Sequence, residues 1–115
     1  MEKNKIDNIE DLRDWITSHN NFECDIEDDS LLIQIHLTSS LSIWFEDKDT
    51  IFDIINRVIK YFEDFNADSE FDTFLRNDYV KQYDYTPAEC MEMLKSDEKA
   101  LHEMAQELRK IIATQ

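Results

Sequence analysis

Thr50 to Phe65 reads TIFDIINRVIKYFEDF, and the spacing of its apolar side chains decides the fold. Ile51, Ile54, Ile55, Val58, Ile59 and Phe62 recur at intervals of three and four, which is the signature of one amphipathic helix. The stripe is wide and rich in branched residues, so the helix is predicted to lie on a sheet as the beam of the core. Its ends are acidic. Glu46, Asp47 and Asp49 precede it with Lys48 as their one basic neighbour, and Glu63, Asp64, Asp68, Glu70 and Asp72 follow with no base before Arg76. These eight carboxylates are the predicted partner-binding residues.

Upstream of the helix the hydrophobic period falls to two. Phe22, Cys24 and Ile26 alternate with Glu23 and Asp25, and the run from Glu27 to Ser30 reads as a turn. Leu31, Ile33, Ile35 and Leu37 then share one face of a second strand, with Leu32, Gln34 and His36 on the other. Thr38, Ser39 and Ser40 are expected to turn into a third strand, with Leu41, Ile43 and Phe45 inward and Ser42 and Trp44 outward. The result is an antiparallel meander with one dry face. Before it, Asp7 is the expected cap of a first helix with Glu10 as capping-box partner, Ile9, Leu12, Trp15 and Ile16 as buried stripe, and Asn20 and Asn21 as stop.

Downstream, Asn66 and Ala67 break the long helix, and Asp68 or Ser69 caps a short one carrying Phe71, Phe74 and Leu75. The stretch from Tyr79 to Tyr85 has no clear period. Thr86-Pro87-Ala88-Glu89 is the clearest helix start in the chain, with a capping Thr, Pro at the first helical position and Glu three residues after the cap. That helix is expected to be short, with Ser96 or Asp97 starting a last one through Leu101, Met104, Ala105, Leu108, Ile111 and Ile112. The predicted fold is therefore α+β: an N-terminal helix, a three-stranded antiparallel meander, a long central helix packed on the sheet, then about three C-terminal helices. One domain spans 1–115, its acidic core unit over 7–72 and a helical extension over 73–115.

Composition excludes several classes of function. The chain has no glycine, so it has no phosphate-cradling loop, dinucleotide fingerprint or nucleophile elbow, each of which needs backbone that only glycine allows. His19, His36 and His102 are its histidines. Glu98 and His102 lie four apart on one helix face but lack further ligands. Asp25, Glu27 and Asp29 echo a calcium loop, yet Ser30 stands where glycine is needed and His36 where glutamate is. A non-enzymatic protein without metal or cofactor is expected. Cys24 and Cys90 read as buried apolar residues in a reducing compartment. No apolar run approaches the length of about 18 that crosses a bilayer, and MEKNKID lacks a signal peptide's apolar core, so a soluble cytoplasmic protein is expected.

Charge indicates the kind of partner. The net charge is -15, and residues 14 to 72 hold 15 acids against the bases Lys48, Arg57 and Lys60 alone. Binding to nucleic acid or anionic lipid is disfavoured, because both depend on Lys and Arg neutralising phosphate. A basic, nucleic-acid-binding protein is favoured, approached by carboxylates that imitate a phosphate backbone. The alternative expectation is an acidic adaptor that docks through an apolar surface, either Tyr79, Tyr83 and Tyr85 or the final helix. Capping preference also places Asp and Glu at helix ends, although it does not account for so few bases over 14 to 72.

DNIEDLRDWI, the strands FECDI, LLIQIHL and LSIWF, the helix IFDIINRVIKYF and the acidic NADSEFDTF stand in an order that resembles small acidic phage and prophage anti-CRISPR proteins acting on type II CRISPR effector nucleases. The resemblance implies an inhibitor whose acidic side chains occupy the arginine-lined site that reads the PAM. Asp68, Glu70 and Asp72 match the family's acidic region after the long helix. Thr38, Ser39 and Ser40 depart from it, since the family carries acidic and amide residues in that turn, and the chain from Arg76 onward has no counterpart in the short member of the family. A dsRNA-binding domain shares the helix, three strands, helix order but requires a basic surface that is missing here.

Overall fold

The computed structural model describes residues 5–19, 22–35, 39–75 and 85–114, with side chains at all of these but 39 and 73–75. In chain order the elements are α1 (Ile9–Thr17), β1 (Phe22–Glu27), β2 (Ser30–Ile35), β3 (Ser39–Trp44), α2 (Ile51–Asp64), α3 (Ala67–Leu75) and α4 (Pro87–Ala113). The strands form one antiparallel sheet in the order β1-β2-β3. The fold is α+β, as the change of period from two to 3.6 predicts.

Sheet register follows the alternation. Phe22, Cys24, Leu31, Ile33, Ile35 and Ile43 are buried on the dry face, with Ile26 and Leu41 half-buried beside them. Glu27 pairs with Ser30, so the turn is the two-residue loop Asp28-Asp29, tighter than the expected run from Glu27 to Ser30. Asp28 takes φ 49 there, a left-handed conformation that Asp tolerates better than most residues and that a chain without glycine must assign to something. Ser39 and Ser40 belong to β3, not to the turn, because they continue the pairing opposite Ile35 and Gln34. The expected ends of the second strand, His36 and Leu37, lie outside the described residues, as do Thr38, Asn20 and Asn21.

The helix starts show what local chemistry can and cannot locate. Thr50 caps α2 through a complete capping box with Asp53, and Thr86 caps α4 in the same way with Glu89. Two other caps sit beside the expected positions. Asn8, not Asp7, caps α1, its Oδ1 accepting from Asp11 N at 2.8 Å, and Asn66, not Asp68 or Ser69, caps α3 by accepting from Ser69 N at 3.0 Å. Each of these Asn residues lies within two positions of an Asp with similar capping strength, so propensity alone does not separate them.

The α2 stripe is buried as predicted: Ile54, Ile55, Val58, Ile59 and Phe62, with Ile51 half-buried. These residues join the dry face of the sheet in one core, as expected of a helix packed on the sheet, and α4 covers them from another side. Both α2 and α3 pack along α4, while α1 packs on β1. The two separate C-terminal helices expected from Thr86 and Ser96 are one, a 27-residue helix. At about 1.5 Å per residue it extends about 40 Å, nearly the 44 Å length of the molecule. Ser96 and Asp97 resemble a cap but stand mid-helix, because Cys90, Leu94, Leu101, Met104, Ala105, Leu108 and Ile111 form an unbroken stripe on both sides of them. Burying that stripe outweighs the modest local preference of Ser and Asp for a helix start. Among the described residues, the C-terminal part of the chain thus holds two helices, α3 and α4. Tyr79 and Tyr83 lie outside the described residues. Among the described residues, no helix is long and apolar enough to cross a membrane.

Proline distinguishes one helix from two. At the first turn of a helix starting after Ser96, Asp97→Pro would be harmless; inside a continuous helix it removes a backbone hydrogen bond and clashes with the preceding turn. We expect Asp97→Pro to lower unfolding free energy by about 3 kcal/mol or more, measured as a shift in urea midpoint.

Candidate functional site

The predicted cluster before α2 divides on inspection. Asp49 is turned inward, its side chain 7% exposed. Arg57 grips it with a forked pair, Nη1 to Oδ2 at 2.7 Å and Nη2 to Oδ1 at 3.1 Å, and Nη1 also donates to the Trp44 carbonyl at 3.0 Å. Glu46 N donates to Asp49 Oδ2 at 2.7 Å. The Arg57 guanidinium, and then the Glu46 amide, hold the Asp49 carboxyl below its ordinary value of 3.8. Asp49 therefore fastens the end of β3 to α2 and is not free to meet a partner. Glu46 is exposed and 3.5 Å from Lys48, and Asp47 is exposed.

The cluster after α2 divides in the same way. Glu63 receives a fork from Arg109 of α4, Nε to Oε2 at 2.7 Å and Nη2 to Oε1 at 2.8 Å, which lowers the Glu63 carboxyl from 4.5 and raises the guanidinium. Asp64 lies 3.3 Å from Lys60, one turn back. On α3, Asp68 and Asp72 are exposed and Glu70 is half-buried. Asp68 and Glu70 occupy its first turn, where the positive end of the helix favours carboxylates. The two predicted clusters stand at opposite ends of the 14-residue α2, about 20 Å apart, so they do not form one patch.

A third acidic surface is the one the sequence reading left unassigned. Glu23, Asp25 and Glu27 project from alternate positions of β1 onto the open face of the sheet, and Asp28 and Asp29 form the adjoining turn; all five are exposed. Among the described residues, no Lys or Arg forms an ion pair with any of them. The signal was the alternation within FECDIE, which sends these acids to the face opposite the core. Their spacing does not make a calcium loop, since Asp25 and Glu27 sit on a flat strand and Asp29 in a tight turn. Among the described residues, no group of three or more His, Cys, Asp or Glu could hold a metal ion.

The remaining candidate residues serve structure. Glu98 Oε1 accepts from Ala67 N at 3.0 Å, and His102 Nε2 donates to the Phe65 carbonyl at 3.1 Å, so the pair clasps the corner between α2 and α3 to α4. His19 Nδ1 donates to the Trp15 carbonyl at 2.8 Å, with Glu107 3.7 Å from its other nitrogen. His36 lies outside the described residues. Cys24 and Cys90 are free and buried; burial and the neighbouring Asp25 push the Cys24 thiol up to about 12, far from the range of a nucleophile. No known protein family, curated protein or solved structure matches this chain.

The forked pairs make a prediction about acid. Because the folded-state values of Asp49 and Glu63 are depressed, their stabilising contribution is complete above the ordinary carboxylate range and is lost as pH falls through it toward the folded-state values. Unfolding measured below about pH 5 should therefore show stability falling with pH, and Asp49→Asn or Glu63→Gln should be less stable at neutral pH with a shallower fall.

Proposed function

We propose that this chain is a non-enzymatic inhibitor that binds the basic nucleic-acid-binding surface of another protein. Type II CRISPR effector nucleases are the class of target that its resemblance suggests. One observation carries the proposal: the exposed acids of the hairpin, with Asp47 and Asp68, have no Lys or Arg partner among the described residues. Arg57 and Arg109 instead hold the joints of α2. Seven carboxylates therefore face outward without a basic partner, on the β1–β2 hairpin, the loop before α2 and the start of α3. A groove lined with Lys and Arg gains charge-assisted hydrogen bonds from such a surface and releases its own counterions. Nucleic acid is repelled by the same field and competes for the same groove.

The adaptor reading retains support from a different surface than expected. The stripe of α4 is consumed in the protein's own core, and Tyr85 is half-buried against it. Exposed aromatic surface lies instead at Trp44, Phe52 and Tyr61, of which Trp44 is 66% exposed.

Pull-down of CRISPR effector nucleases, with a DNA-cleavage assay at low and physiological salt, tests the two readings. The inhibitor should compete with target DNA and lose at least about tenfold in affinity between about 50 and 200 mM salt. An apolar dock should barely respond to salt and should not displace DNA.

A further inference from the structure

The open face of the sheet is an array set by its register. β1 supplies Glu23, Asp25 and Glu27; opposite them β2 supplies Gln34, Leu32 and Ser30, and β3 supplies Ser40, Ser42 and Trp44. A shallow recess of about 390 Å³ runs over it, lined by Glu23, Asp25, Leu32, Gln34, Ser40 and Ser42 among others. We propose that this face docks an extended basic segment of the partner protein, one carrying Arg or Lys at alternate positions. The inference rests on the reading of the chain as a binder of basic surfaces.

Spacing is the first argument. Alternate residues of a strand are about 6.6 to 6.8 Å apart, so the three carboxylates repeat with the same period as alternate side chains of an extended ligand. A segment aligned with β1 can therefore set a cation opposite each acid, and arginine can meet each as a fork. Chemistry is the second. Leu32 offers apolar contact in the middle of the face, the exposed Ser40 and Ser42 offer hydrogen bonds, and Trp44, exposed on the same face of β3 opposite Ser30, offers a ring on which a guanidinium can stack. Charge is the third. A second copy of the chain would bring its own net charge of -15 to an acidic face, so a foreign cationic segment is the better complement.

The test uses the full chain labelled for NMR and a short synthetic peptide of alternating Arg and Thr, at physiological salt. Its control is the isomer with the same residues sorted into one Arg block and one Thr block. We expect shifts concentrated at Glu23, Asp25, Glu27, Leu32 and Trp44. The alternating peptide should bind several-fold more tightly than the sorted one, and Glu23→Gln/Asp25→Asn/Glu27→Gln or Trp44→Ala should lose about tenfold in affinity. Each variant's unfolding midpoint is measured beside its binding, and these exposed changes should leave it close to that of the parent. Equal binding of the two peptides, or shifts confined to Asp47, Asp68 and Glu70, overturns the inference. So do sheet-face shifts that depend on protein concentration without peptide. Nuclease inhibition abolished by reversing Asp68, Glu70 and Asp72 but indifferent to the sheet-face triple would retain the proposed function and reject this surface. Absence of any inhibition or competition would reject the function itself, whatever the peptides do.

Discussion

Ile54, Ile55, Val58, Ile59 and Phe62 on α2 are each no more than 5% exposed, and the elements around them are arranged to keep them so. Burying a side chain of this size contributes about 1.5 to 3 kcal/mol, so the stripe is worth on the order of 10 kcal/mol before entropy is counted. That is comparable with the whole net stability of a typical domain. The dry face of the sheet supplies part of the cover and α4 the rest. Local preferences that conflict with this cover are overruled, as at Ser96 and Asp97, while those that agree with it, such as the two capping boxes, survive.

Against that core stands a net charge of -15 whose self-repulsion favours expansion. Arg57 and Arg109 are placed where repulsion would otherwise open joints. Arg57 ties the loop from β3 to the start of α2, and Arg109 ties its end to α4. Both are forked pairs with well-aligned donors, the geometry in which an ion pair at a protein surface is most effective. Their placement sharpens the functional picture, because Arg57 and Arg109 engage acids eight and 46 residues away and leave the hairpin acids without a Lys or Arg partner among the described residues. The sheet holds the acids of β1 at fixed intervals, and Asp47 in the loop before α2 and Asp68 of α3 are exposed as well. A rigid array of like charge is preorganised for a cationic partner and loses little entropy on binding.

Element type was legible because two periods, two and 3.6, are written into the apolar residues, and because the capping box at Thr86 marks a helix start. The dry and open faces of each strand followed from alternation, and with them the outward direction of Glu23 and Asp25. Cap positions were legible only to within a residue or two, since Asn and Asp are nearly equal as caps. The continuity of α4 depended on a stripe that runs through a capping-like pair, a contest between local and long-range energies that no window of sequence resolves.

What the sequence by itself determined is the α+β class, the antiparallel meander, the α2 stripe and the acidic balance, since each is a property of residue type and local spacing. Only the tertiary structure decided which carboxylates are available. Asp49 and Glu63 look equal to Asp47 and Asp68 along the chain, but Arg57, eight residues away, and Arg109, 46 away, engage the first two and not the others. Charge neutralisation depends on distance in space, and distance in space is set by how α2 packs between its neighbours.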